Sequence, residues 1–307
     1  MYNSFFGLDA DPFRVNPDPR FLYLSESHRE ALATLVYAVR ERKGFIALTG
    51  EVGTGKTTIM NALLGRLGPK TQTAYIFNTA LSVEDFFMSL FDELELPQIE
   101  PFRKSAALHA LNEHLIRRLK AGEQTLLLVD EAQNLSTELL EEIRMLSNLE
   151  TPTSKLLQII LVGQPELSET LARPELRQLR QRIELRHTIR ALDARETAEY
   201  VRERLMIAGH ETGKIFTTGA LASVHRASGG IPRIVNVICD NALLTAFARG
   251  SQRVQASGVQ EAARELGYSE AQTVRREEKM ILRGDAGTQG WFARLFRRRA
   301  NQAECGA

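Results

Sequence analysis

Hydrophobic residues along this chain follow two rhythms. Short, mostly apolar and non-alternating runs at 45–49, 73–77, 126–129 and 156–162 lie between longer stretches in which apolar residues recur every three or four positions. A run without apolar–polar alternation buries both of its faces, which predicts strands of a parallel sheet covered by helices on either side. Residues 183–189 have β character and add a fifth strand. Helices are predicted over 25–42, 56–67, 82–95, 104–121 and 137–149. The first is the clearest: Ser25 can cap it, Leu32, Leu35, Val36 and Val39 recur at helical spacing, and Gly44 ends it. From Asp193 the strand rhythm stops, and only helical periodicity remains, near 193–208, 217–227, 231–248 and 256–266. The pattern divides the chain into an N-terminal segment (1–44), an α/β domain (45–192), an all-helical domain (193–266) and a polar linker with a basic tail (267–307). Within the first segment, Pro12, Pro17 and Pro19 impose extended or turn geometry up to about residue 24.

Composition narrows the class without naming a function. At 307 residues with 43% hydrophobic and 25% charged residues, the chain can build a sizeable core and is not globally disordered. The net charge of +1 gives no chain-wide field toward nucleic acid or an anionic membrane, so any such contact must be local. The cysteines, Cys239 and Cys305, make neither a disulfide framework nor a zinc site, which fits a reducing cytoplasm. The first residues hold acids and prolines where a signal peptide needs a basic start and an apolar run. The longest apolar stretches have the length of strands, not of membrane spans. The histidines are scattered without metal-ligand spacing.

The chemistry is concentrated between the first strand and the helix after it. Gly50-Glu51-Val52-Gly53-Thr54-Gly55-Lys56-Thr57 fits the phosphate-binding pattern of two glycines spaced by four residues, then lysine and a hydroxyl residue. Roughly one chain in a hundred of this length would carry those four positions by chance, and the strand-loop-helix context lowers the figure further. The glycines let main-chain N–H groups close around phosphate oxygens, and the helix start adds unpaired donors and a positive dipole end. Lys56 would then reach the β- and γ-phosphates of ATP, and the Thr57 hydroxyl would ligate Mg²⁺. Thr58 closes the set of loop residues. Asp130 and Glu131 emerge from the third apolar run, where Asp130 can hold the hydrated Mg²⁺ and Glu131 can orient and deprotonate the attacking water. A solvated acidic turn would look the same in isolation; its placement after the loop, with a strand between, gives it meaning.

These residues resemble the AAA+ superfamily, with Gly50–Thr58 as Walker A and Leu126–Glu131 as Walker B. The resemblance implies a P-loop NTPase sheet followed by a helical lid. It further implies that Gln164, after Ile159–Gly163, is the sensor-1 residue, holding water or the γ-phosphate. Arg233, in Gly229-Gly230-Ile231-Pro232-Arg233, becomes a γ-phosphate ligand in sensor 2. In the 176–183 segment, Arg180 or Arg182 becomes a finger supplied to a neighbouring copy, which implies a homo-oligomer. Each has a plainer reading: Gln164 as a turn cap, Arg233 as a surface charge at a helix start, and Arg177, Arg180 and Arg182 as a solvated helix face. A closer likeness lies in FFGLDADPFRVNPDPRFLYLSESHREAL, VDEAQNL, LVGQPEL and GGIPR. Together these are similar to the general secretion pathway protein A (ExeA/GspA)-like ATPases, whose relatives include exopolysaccharide-associated and transposon target-selection ATPases. The likeness covers residues 1–266 and implies that 1–44 packs on the ATPase core, over the nucleotide base. Secretion-type members continue into a membrane span and a peptidoglycan-binding domain, which this sequence does not show.

In the tail, Trp291, Phe292, Leu295 and Phe296 fall at helical spacing beside Arg294, Arg297, Arg298 and Arg299. Such a segment, 291–299, can lie in an anionic membrane interface at the inner face, dock on a partner, bind nucleic acid, or be a solvated basic end. Two functions follow. One is an ATP-hydrolysing switch with a protein partner in secretion or envelope assembly. The alternative is a DNA-stimulated ATPase of the target-selection type, for which only the arginine clusters at 177–190 and 294–299 speak.

Overall fold

The computed structural model describes residues 2–14, 18–77 and 81–268; the tail at 291–299 lies outside them. Within the described residues five strands form one sheet: β1 (Phe45–Gly50), β2 (Thr71–Ile76), β3 (Gln124–Val129), β4 (Leu157–Gly163) and β5 (Leu185–Ile189). All pairings are parallel, in the order β2-β3-β4-β1-β5. Every residue of β1 and β4 is buried, whereas the edge strands β2 and β5 are only partly covered. That is the outcome expected of apolar runs at the sheet centre.

Alternate residues of each strand feed opposite cores, because successive side chains point to opposite faces. Ile46 and Leu48 of β1 join Leu126, Leu128, Ile160 and Val162 under α1 (Glu26–Arg40) and α2 (Lys56–Leu64). On the other face Phe45 and Ala47 join Leu127, Ile159 and Leu161 under α3 (Val83–Glu93), α4 (Lys104–Lys120) and α5 (Thr137–Leu146). Phe86, Phe87, Leu90 and Ile143 fill that layer. Two further helices on this side, α6 (Pro165–Leu171) and α7 (Arg177–Arg182), escape the periodicity because each is too short to establish a stripe. Register sets the site: Thr49 pairs with Gly163, and Val129 with Leu161, so the carboxyl ends of β1, β4 and β3 reach one edge together.

The helical domain consists of α8 (Ala194–Ile207), α9 (Thr218–Ser228), α10 (Pro232–Ala248) and α11 (Ala256–Glu265) around their own core. A capping box between Asp193 and Glu196 starts it. The expectation that residues 1–44 pack on the ATPase core must be corrected for the part before α1. Phe6, Leu8, Phe13 and Phe21 are buried with Val201, Leu205, Ile238 and Leu243 of the lid, while Leu24 and α1 lie on the sheet. The reason is visible in the contacts. The buried Arg204 side chain donates from Nε to the Pro12 carbonyl at 2.6 Å and lies 4.6 Å from the Phe21 ring centroid. The Asp9 amide donates to the Ala208 carbonyl at 2.7 Å, and the Tyr2 hydroxyl is hydrogen-bonded to Asp240. Aromatic residues broken up by prolines cannot present a helical stripe to a sheet, but they fill a groove between lid helices.

The turn before α10 joins the two domains. The Leu192 amide donates to the Gly230 carbonyl at 2.9 Å, and Gly230 has φ +70°, where a side chain is disfavoured. A Cβ on Gly230 would stand 1.9 Å from the Leu192 carbonyl oxygen, a backbone atom without room to yield. Gly230→Ala is therefore expected to destabilise the chain by about 2 kcal/mol, combining the left-handed penalty with partly relaxed overpacking. Urea unfolding of the two proteins checks this, read as a fall in midpoint.

Candidate nucleotide site

The phosphate loop leaves β1 at Gly50 and enters α2 at Lys56. Two of its glycines do what only glycine does easily, with φ +81° at Gly53 and +98° at Gly55. Thr54 is buried and donates from Oγ1 to the Glu51 carbonyl at 2.7 Å, closing the turn. The Lys56 side chain folds into the loop, where Nζ donates to the carbonyls of Gly50 at 2.9 Å and Glu51 at 3.1 Å. Lys56 is only 6% exposed. Burial pushes its ammonium below the ordinary lysine range, opposed by the negative field of Glu131, Asp130, Glu51 and Glu166. A buried cation whose hydrogen bonds go to neutral carbonyls suits a polyanion. Thr57 is exposed on the first turn of α2 and Val52 stands out at the loop tip.

Asp130 and Glu131 follow β3. Asp130 is buried, with Oδ1 accepting from the Glu131 amide at 2.8 Å and Oδ2 from the Tyr75 hydroxyl at 2.8 Å. Glu131 adopts φ +50°, a rare conformation for a residue with a side chain. Its Oε2 accepts from Gln133 Nε2 at 2.5 Å and from Gln164 Nε2 at 3.1 Å. Gln133 also accepts the Gln164 amide at 3.0 Å through Oε1, so one side chain braces both neighbours. Burial alone would raise the Glu131 pKa. The bonds from Gln133 and Gln164, with the Lys56 charge, outweigh it and hold the carboxyl below its usual range. The pair thus comes as a carboxylate beside a cation, at the meeting point of β1, β3 and β4. A magnesium–triphosphate ion fits this donor set: main-chain amides and Lys56 for phosphate, Thr57 and Asp130 as hard oxygen donors for the metal.

The lid reaches the same place. The Arg233 amide donates to the Gly53 carbonyl at 3.3 Å, and a Cβ on Gly53 would meet Arg233 Cβ at 2.6 Å. Gln164 therefore stands against Glu131, and the main chain and Cβ of Arg233 against the phosphate loop. Arg180 and Arg182 lie elsewhere. They precede β5, whose Leu185 pairs with Ile46 near the start of β1, so they stand at the amino-terminal end of the strands, away from their own phosphate loop at the carboxyl end of β1. Arg182 Nη1 donates to Ser147 Oγ at 2.6 Å, and Arg180 is exposed.

Three contributors escaped the sequence reading: Gln133, Tyr75 and His28. Gln133 stands two residues beyond Glu131 and could have been suspected from proximity; the others are joined only by the fold. His28, on the first turn of α1, is 4% exposed and places Nε2 2.7 Å from the Thr54 carbonyl and Nδ1 2.7 Å from Ser25 Oγ. Desolvation lowers its pKa, and burial likewise lowers those of His187 and His114. Folded histidines with depressed pKa bind fewer protons than the unfolded chain, so their stability contribution is complete above the unfolded value of about 6.5 and falls as pH drops below it. The melting temperature is expected to decline from pH 7.5 to pH 5.5, which a thermal scan in matched ionic strength checks.

Comparison with known proteins meets this geometry at several points. Residues 39–171 match the family model described as AAA domain. General secretion pathway protein A of Aeromonas hydrophila is 47% identical over 266 residues, covering 87% of this chain and 48% of that protein. This chain is a GspA-like AAA-domain protein. It spans about half the length of that curated relative. The fold is shared with the ORC2 protein of Aeropyrum pernix in ADPNP–ADP complexes, with TM-score 0.63, 19% identity, and coverage of 84% of this chain and 72% of that one. Drosophila ORC bound to DNA gives TM-score 0.65 at 20% identity, covering 88% and 67% of the two chains. Cdc6p from Pyrobaculum aerophilum gives 0.62 at 18%, covering 81% and 71%. Among the described residues no helix is long and apolar enough to cross a membrane.

Proposed function

We propose that this GspA-like ATPase binds Mg²⁺–ATP between its α/β domain and its lid, and uses hydrolysis to drive a conformational or assembly step in secretion or envelope machinery. The observation that carries the reading is the convergence of a glycine loop, a buried lysine and a glutamine-braced carboxylate at one sheet edge. Gly50–Thr58 wraps the phosphates, Lys56 neutralises the β- and γ-oxygens, and Thr57 and Asp130 hold the metal. A magnesium ion held there by Thr57 and Asp130 would supply positive charge against the charge that develops on the phosphoryl group. Glu131 accepts the proton of the attacking water, Gln164 orients that water, and Arg233 brings the lid onto the γ-phosphate. Loss of the γ-phosphate removes what Arg233 holds, so the angle between lid and sheet changes.

Arg180 or Arg182, remote from their own loop, act on a neighbouring copy in a homo-oligomer. The relative's name supports a partner in a secretion pathway. The 291–299 tail supports a peripheral contact at the inner face of the membrane. Turnover is expected to require magnesium and to change less than twofold on adding double-stranded DNA. A colourimetric phosphate assay with and without each component tests this. Strong DNA stimulation that fades with salt would replace the envelope reading by the target-selection one.

A further inference from the structure

The first turn of α1 stands where four parts of the molecule meet. His28 Nε2 lies 2.7 Å from the Thr54 carbonyl of the phosphate loop, and a Cβ on Gly55 would meet that same nitrogen at 2.9 Å. Ser25 Oγ accepts the His28 amide at 3.3 Å as the helix cap, which leaves its hydrogen to donate to Nδ1 at 2.7 Å. That arrangement puts the ring proton on Nε2, so the imidazole donates to the Thr54 carbonyl. One residue earlier, Ser27 Oγ accepts the Arg190 amide at 3.0 Å, just beyond β5. At the helix start, the Glu26 amide donates to Glu196 Oε1 of lid helix α8 at 3.0 Å. A carboxylate at the amino end of a helix is favoured by both the unpaired N–H groups and the dipole. The segment leading into this turn is itself seated in the lid, through Phe13 and Phe21.

We infer that this turn is the joint that transmits lid position to the phosphate loop, with His28 as a positioning residue holding the loop in its phosphate-ready form. The lid grips the turn through Glu196 and through residues 2–21; the turn grips the loop through His28. A rigid first turn, pinned on two sides, moves as one piece when the lid moves. The Thr54 carbonyl moves with it, and the N–H groups beside it follow. His28 acts on the loop through the Thr54 carbonyl. The inference rests on the nucleotide reading above.

The test uses the full chain and a fluorescent ATP analogue with magnesium, alongside the melting temperature without nucleotide. His28→Leu keeps the buried volume and removes the donor; it is expected to weaken retention roughly tenfold, the usual consequence of a buried carbonyl losing its partner. His28→Gln, whose amide can reach the same carbonyl, is expected within about twofold of the unchanged chain. Glu196→Ala, on the lid, is expected to weaken retention about threefold. In the double variant His28→Leu/Glu196→Ala the loss should be no greater than in His28→Leu alone, because both act through one turn. Melting temperatures close to that of the unchanged chain separate positioning from general damage. Retention by Glu196→Ala equal to that of the unchanged chain overturns the joint. So do losses that multiply in the double variant, or a His28→Gln variant as weak as His28→Leu. If His28→Leu does not fold, the Glu196→Ala and His28→Gln results still decide. Failure of the unchanged chain to retain the analogue would strike the nucleotide reading itself; normal retention with indifferent variants strikes only the joint.

Discussion

Replacing Lys56 with alanine is expected to weaken retention of Mg²⁺–ATP by more than about 100-fold, the loss anticipated when several charge-assisted bonds to phosphate vanish together. The side chain is buried and its Nζ hydrogen bonds go to the carbonyls of Gly50 and Glu51, so its charge is desolvated before any ligand arrives. Desolvation depresses its pKa. The sign matters: a lysine with a lowered folded pKa costs the folded state stability at neutral pH, and removing it does not unfold the protein. Lys56→Met, which preserves most of the volume, serves as the packing control. Both variants are expected to melt no lower than the unchanged chain within about 2 °C, while anisotropy of a labelled ATP analogue shows no saturable binding. A lowered melting point with binding restored at low temperature would mean that Lys56 acts on the fold and not on phosphate.

Glu131→Gln is expected to retain nucleotide and lose turnover by roughly 100-fold, the ordinary contribution of a general base. The substitution is well matched to its surroundings. Both Gln133 and Gln164 donate to Oε2 of Glu131, and the carbonyl oxygen of a glutamine can accept the same two bonds. What disappears is the negative charge, and with it the capacity to take a proton. The depressed pKa keeps Glu131 ionised across the neutral range, so on the proposed reading it is ready to accept the proton of the attacking water. Single-turnover phosphate release compared with equilibrium binding separates the two effects. Unchanged turnover would move the role of base to another carboxylate.

Much of this was legible in the sequence because it depends on local chemistry. The apolar runs at 45–49, 126–129 and 156–162 became β1, β3 and β4, since residues buried on both faces need no partner pattern to declare themselves. The phosphate loop, Asp130 and Glu131 could be read because backbone shape and spacing lie within a few residues of one another. Gln164 and Arg233 came with the family likeness; the fold places Gln164 against Glu131 and the Arg233 main chain against Gly53. What could not be read is what depends on distant pairing. Tyr75 reaches Asp130 across two strands, and His28 reaches Thr54 between a helix and a loop. Phe13 and Phe21 were assigned to the ATPase core, yet they sit in the lid because Arg204, far along the chain, offers a carbonyl-binding, ring-stacking guanidinium. No periodicity records such contacts. The short helix α6 has too few turns to show a stripe, and α7 shows only as an arginine face.

On the proposed reading, main-chain amides from Gly50 to Thr57, with Lys56, close on a magnesium-bound triphosphate. Titration calorimetry of the purified chain with a non-hydrolysable ATP analogue tests it most directly. One site per chain in magnesium, weakened when the metal is chelated and absent in Lys56→Ala, is the expected result. No heat of binding in the unchanged chain, or equal binding by Lys56→Ala, would contradict it.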